Sequence, residues 1–172
     1  MLKRWLLMAA IITGVGVSIW FGLPDVTEVE AKLGKPAPAF ELPDLSGQMQ
    51  AVPQGGLILL NFWATWCPPC RQEMPSMAEL YNKFKAKGLR VVAVSVDRDA
   101  SALAGFVREY NLPFQVLHDK DSKISRTYGV FRYPESYLID AKGVIRRHLI
   151  GAIEWTSPNI VKEVEQLLVE TG

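Results

Sequence analysis

Residues 57–63 read Leu-Ile-Leu-Leu-Asn-Phe-Trp, a continuous apolar run broken only by Asn61. Such a run predicts a central strand covered on both faces by helices. A helix is predicted next, over about 69–87, because Met74, Met77, Leu80, Tyr81 and Phe84 recur at helical spacing and form a core stripe. Pro75 is a candidate kink within it. Gly88 suits the helix cap, and residues 90–96 form a second apolar strand, completing a parallel βαβ unit with a right-handed crossover. Farther along, the pattern predicts a helix over 100–110, stopped by Asn111 and Pro113, then a short strand at 115–117. A short helix at 122–128 ends at Gly129. Residues 135–140 and 144–149 alternate as a hairpin about Ala141-Lys142-Gly143. A last helix over 157–169 carries Ile160, Val161, Val164, Leu167 and Leu168 on one face. Ahead of the central strand, residues 40–52 read as a β-hairpin turning at 44–47. The class is α/β.

The N-terminus follows another pattern. After Lys3 and Arg4 comes an uncharged, mostly apolar run from Trp5 to Leu23, ended by Pro24 and Asp25. Nineteen residues at a 1.5 Å rise just span a hydrocarbon core of about 30 Å. Residues 1–23 are therefore expected to be a transmembrane signal anchor, 24–34 a linker and 35–172 the folded domain. The paired cations should stay in the cytoplasm and put the domain on the extracytoplasmic side. A cleaved signal peptide is the competing reading, with Gly16 and Ser18 at the cleavage site. It is disfavoured because Ile19-Trp20-Phe21 extends the apolar run and suits an interfacial belt. The whole chain, 172 residues with formal net charge +1, suffices for one domain and an appendage. Its dispersed cations form no basic stripe, which argues against nucleic-acid binding.

The two cysteines, Cys67 and Cys70, stand where the predicted strand gives way to the helix. Unpaired N–H groups at a helix start favour thiolate over thiol, making Cys67 the candidate nucleophile and Cys70 the resolving thiol. Half of a zinc site is the bland alternative. It would need two more ligands, and the only histidines, His118 and His148, lie in separate segments. A purely structural disulfide would close too short a loop to constrain the unfolded chain much. Between the cysteines, Pro68 and Pro69 offer no N–H to the Cys67 sulfur, leaving the Cys70 N–H and thiol as its main donors. A less stabilised thiolate points to a reducing pair. Glu73, three residues after Cys70, shares its helical face. It is either a proton acceptor for that thiol or a solvated acid complementing the positive helix end.

The run Asn61-Phe62-Trp63-Ala64-Thr65-Trp66-Cys67-Pro68-Pro69-Cys70-Arg71-Gln72-Glu73-Met74-Pro75 resembles the active-site segment of the TlpA/ResA/DsbE (CcmG) group of membrane-anchored, thioredoxin-like thiol-disulfide oxidoreductases. Similarity extends to Gly34-Lys35-Pro36-Ala37-Pro38-Ala39-Phe40 and to Tyr133-Pro134-Glu135-Ser136-Tyr137-Leu138-Ile139-Asp140. The resemblance implies a central mixed sheet flanked by helices, an N-terminal β-hairpin extension and a central insertion. It also implies an active-site role for Glu73, while the buried Asp of cytoplasmic thioredoxin falls on Asn61. Pro134 matches the cis-proline that presents backbone to an extended substrate, and Trp66 a flat docking surface beside the first cysteine. Trp63 is as readily core packing, and Trp155 is read as structural. Pro68, Pro69 and Tyr133 complete the expected substrate-binding rim, although Phe131-Arg132-Tyr133 is bulkier and more positive than the family's small, Gly-containing stretch. Glu135 matches the Pro-Glu of the cytochrome-maturation branch, with an exposed strand-start carboxylate as an equal reading. His118 and His148 read as ordinary loop or strand residues.

The implied partners are a protein disulfide, by analogy the Cys-x-x-Cys-His segment of an apocytochrome c, and a membrane-embedded thiol carrier as electron donor; no cofactor or metal is expected. An envelope disulfide oxidase or isomerase is the alternative within redox chemistry. A thiol peroxidase would require Pro-x-x-x-Thr-x-x-Cys, but Leu60 and Ala64 occupy those positions. A metal-delivery module would need a distant histidine converging on the pair.

Overall fold

The computed structural model describes residues 31–171. The proposed anchor at 1–23, and the linker as far as residue 30, lie outside them. Among the described residues no helix is long and apolar enough to cross a membrane.

A hairpin of β1 (Glu41–Pro43) and β2 (Met49–Ala51) precedes the main sheet. The sheet contains β3 (Leu57–Trp63), β4 (Leu89–Ser95), β5 (Gln115–His118), β6 (Glu135–Ile139) and β7 (Ile145–Ile150), in the order β5-β4-β3-β6-β7. Strands β3, β4 and β5 run parallel; β6 and β7 join antiparallel, making the sheet mixed as expected. Helix α1 (Pro68–Phe84) continues as a 3-10 turn (Lys85–Lys87) and connects β3 to β4. Helices α2 (Ala100–Glu109) and α3 (Lys123–Thr127) flank β5, and α4 (Pro158–Thr171) ends the fold. Pro75 sits inside α1, where its missing N–H removes one backbone hydrogen bond.

Every residue of β3 is buried because both faces of the sheet are covered. Alternation sends Leu57, Leu59 and Trp63 into a core with Met74, Met77, Leu80 and Phe84 of α1 and with Trp155, Val164 and Leu168. Ile58, Leu60 and Phe62 point the other way, against Phe40, Leu42, Tyr128 and Tyr137. Burial of each such side chain stabilises by roughly 1.5–3 kcal/mol relative to its exposed state. The βαβ crossover closes tightly. Gly88 adopts φ 100° at the end of the 3-10 turn, and a Cβ on Gly56 would lie 2.3 Å from its carbonyl oxygen.

The segment before β3 crosses the second face like a strap. Gly34 N–H donates to the Ile145 carbonyl on β7, and Ile145 N–H donates to the Lys35 carbonyl. The chain then passes beneath Tyr128, whose hydroxyl donates to the Pro38 carbonyl at 2.7 Å. It reaches the opposite rim at an isolated bridge between Asp44 and Leu117 of β5.

Candidate active site

Strand β3 delivers the chain to the carboxyl edge of the sheet, and the turn after it is held by a residue that sequence reasoning passed over. Asp97 lies just past the end of β4 and is buried; its carboxylate accepts from Thr65 N–H at 2.9 Å, Thr65 Oγ1 at 2.7 Å and Ser95 Oγ at 2.7 Å. His118 Nε2 lies 2.6 Å from the Asp97 carbonyl. The available signal was an acid just after the apolar run Val91–Val94. Arg71 braces the turn from the other side, reaching the Thr65 carbonyl at 3.4 Å and the Tyr110 hydroxyl at 3.3 Å.

Cys67 then caps α1. Its backbone is extended, φ −95° and ψ 106°, and its sulfur accepts from Cys70 N–H at 3.3 Å. The two sulfurs are joined as a disulfide. Pro68 and Pro69 open the helix, exposed and without N–H groups, so Cys70 supplies the backbone donor recorded at this sulfur. The Tyr133 carbonyl oxygen lies 3.5 Å from Cys67 Sγ. A thiol can donate to that oxygen; a thiolate faces its negative end. The peptide bond between Tyr133 and Pro134 is cis, and Pro134 is buried behind the rim. Cys67 and Cys70 are themselves 5% and 0% exposed, whereas Trp66 stands 63% exposed beside the disulfide and meets Tyr133 edge to face at 6.0 Å. Trp63 and Trp155 are core residues.

Glu73 is buried, which overturns the reading of it as a solvated acid. It follows Cys70 by one turn of α1 and receives Asn61 Nδ2–H at 2.8 Å and Ile153 N–H at 3.0 Å. Asn61 also reaches Ser136 Oγ at 2.9 Å across the β3–β6 pair, while its Oδ1 has no partner. Burial pushes the Glu73 carboxyl up to about 7, against smaller opposing contributions from the Ile153 N–H, the Asn61 amide and the Trp155 side chain. The Trp155 indole N–H nevertheless makes no full hydrogen bond. A carboxyl set near neutrality inside the fold, on the same helical face as Cys70, can take up and return a proton.

Glu135 is also buried, contrary to the exposed-carboxylate reading. One oxygen accepts from the Phe131 and Arg132 amides, each at 3.2 Å, and the other lies 2.7 Å from His148 Nε2. His148 stacks on Tyr137, with ring centroids 4.3 Å apart. It is therefore part of the support of the cis-proline loop rather than an isolated strand residue. Among the described residues no three His, Cys, Asp or Glu side chains gather as a metal site.

Comparison with known proteins agrees with this geometry. The model of the AhpC/TSA family matches residues 33–148. A thiol-disulfide oxidoreductase ResA from Bacillus thuringiensis is 38% identical over 153 residues, covering 88% of each chain. The thioredoxin-like protein YneN of Bacillus subtilis is 39% identical over 98% of each. A crystal structure from Chlorobium tepidum, described as a thiol:disulfide interchange protein DsbE, superposes with a TM-score of 0.71 at 33% identity, over 83% of this chain and 99% of that one. With a Cys-x-x-Cys disulfide capping the first helix of such a sheet, the chain belongs to the thioredoxin-like AhpC/TSA family and is a thiol-disulfide oxidoreductase of the ResA/DsbE type.

Proposed function

We propose that this oxidoreductase reduces protein disulfides outside the cytoplasmic membrane, tethered by residues 1–23, and that the haem-binding cysteines of apocytochromes c are among its substrates. The observation that carries the direction of transfer is the surroundings of the Cys67 sulfur. It has one backbone donor, two adjacent prolines that supply none, and a carbonyl oxygen at 3.5 Å. A thiolate held this weakly makes the dithiol a better electron donor, since strong oxidants are those whose reduced form is stabilised.

The reduced Cys67 thiolate attacks one sulfur of the substrate disulfide, forming a mixed disulfide and releasing the other substrate sulfur as a thiolate. Cys70 loses its proton to Glu73 and attacks the Cys67 sulfur. The second substrate thiolate departs, two electrons have passed to the substrate, and the Cys67–Cys70 disulfide remains. Trp66 and Tyr133, with the exposed faces of Pro68 and Pro69, form the rim on which the substrate docks, and Pro134 behind them shapes the loop that carries the Tyr133 carbonyl. A membrane-embedded thiol carrier returns the dithiol state. The chain lacks the peroxidase signature: Ala64 puts no hydroxyl at its Thr position, and Leu60 replaces its Pro.

The reduction potential of the full chain in detergent, equilibrated against glutathione, tests the direction. A value below about −220 mV is expected, and one near about −120 mV, typical of a strong oxidant, overturns it. Carbonate extraction of membranes tests the tether: release of the protein into the supernatant would rule it out.

A further inference from the structure

Two clefts open side by side at the edge of the dithiol. The first, of about 520 Å³, has Trp66 and Tyr133 at its near end and Val96, Arg98 and Ser122 farther out. The second, of about 280 Å³, shares Val96, Arg98 and Ser122 and adds Lys120 and Arg126. Their common walls make one groove, aromatic beside Cys67 and basic at its far end.

The basic end is built from three separate segments: the β4–α2 loop, the β5–α3 loop and α3 itself. Arg98, Lys120 and Arg126 are all exposed, and none pairs with a carboxylate among the described residues. Arg71 is different, being engaged by Thr65 and Tyr110 and lying over the Phe106 ring. Two acids border the groove. Asp99 directs its carboxylate to the N–H and hydroxyl of Ser101 at the start of α2, and Asp121 lines the outer cleft. Asp99 keeps its negative charge at the border of the inner cleft, but the outer cleft itself is lined by three cations and one acid, Asp121, an excess of positive charge. The scaffold is fixed: Asp119 accepts from the Ile124 and Ser125 amides, and Ser125 Oγ lies 3.4 Å from the Tyr133 hydroxyl.

We infer that this groove receives the stretch of substrate polypeptide next to the attacked cysteine and selects substrates carrying Asp or Glu there. A flexible polypeptide anchored at Cys67 by its sulfur and on Trp66 by its apolar groups would lay its neighbouring residues along the groove. Carboxylates would meet the three cations, raising the rate of productive encounter more than the lifetime of the complex. The inference rests on the disulfide-exchange reading of the dithiol.

The test uses the full chain in detergent and three synthetic peptides. Each carries one cysteine joined in a disulfide to a small neutral thiol, flanked on one side by three Asp, three Asn or three Lys. Stopped-flow rates are divided by the rate of the same protein on hydroxyethyl disulfide, so that changes in intrinsic reactivity cancel. At low salt the Asp peptide should react about tenfold faster than the Lys peptide. The ratio should fall to within about twofold at 0.5 M salt, where screening acts over about 4 Å. The triple variant Arg98→Gln/Lys120→Gln/Arg126→Gln should show the same collapse at low salt. Equal rates for the Asp and Lys peptides, or a preference that survives the triple variant, overturn the groove. Repeating the series from oxidised protein and the peptide dithiols, two cysteines apiece with the same flanks, separates the two ideas. If exchange proceeds only in that direction the reductant reading fails, while the Asp-to-Lys ratio still decides the groove.

Discussion

Glu73, on α1, and Glu135, at the start of β6, are two buried carboxylates, and their surroundings differ. Glu135 has its lone pairs taken by two backbone amides and an imidazole nitrogen. Glu73 has one side-chain amide and one backbone amide, both neutral, and its desolvation outweighs them. A carboxylate saturated by donors is a bracket, holding the loop before Pro134 in place. One left under-compensated becomes a proton store.

Removing the bracket should have the larger effect. Glu135→Ala takes the acceptor from the Phe131 and Arg132 amides and from the part-exposed His148 ring. It should cost about 3–4 kcal/mol in denaturant unfolding; a loss under about 1 kcal/mol would show that the loop holds itself. Glu73→Gln should do the opposite, slowing resolution of the mixed disulfide about 100-fold, or about 2.7 kcal/mol in barrier, with little loss of stability. The amide can be accommodated because Asn61 can rotate its unpartnered Oδ1 towards the new N–H. Stopped-flow resolution rates should rise with pH through about 7 in the parent chain and stay flat in the variant.

The same carboxyl leaves a mark on stability. Its folded value of about 7 lies above the ordinary 4.5, so between these the folded chain holds a proton that the unfolded chain has lost. Stability should therefore fall as pH rises across that window, by on the order of 2 kcal/mol, and be level above it. Glu73→Gln should abolish the slope, measurable by urea titration at pH 5 and 8. The smallest effect is expected from Asn61→Leu. Losing one donor to the ionised form should move the pH–rate midpoint upward by about half a unit, and an unmoved midpoint would remove Asn61 from the proton pathway.

Much of the main sheet was legible because β3, β4 and the α1 stripe carry unbroken patterns. The helix start was legible too, since the Cys-Pro-Pro-Cys run leaves few ways to cap α1. Tertiary context was not. Glu73 reads as a solvated acid until Ile153, 80 residues away, covers it. The Glu135–His148 pair was hidden by a register irregularity. Strands β6 and β7 pair Ile139 with Ile145 but Leu138 with Arg147, skipping one residue. Without that bulge His148 would face away from Glu135; with it, both lie on the Tyr137 side. No local pattern announces a single extra residue.

The strap ahead of β3 has a consequence for a protein that exchanges disulfides with other polypeptides. Extended backbone seeks strand partners, and an open sheet margin would bind it indiscriminately. Here residues 34–36 occupy the start of the β7 margin and the Asp44 bridge blocks the β5 margin, while Arg146 and Arg147 add charge along the remainder of β7. Both flanks are thereby closed to strand addition, while the loop at Pro134 stays beside the sulfurs.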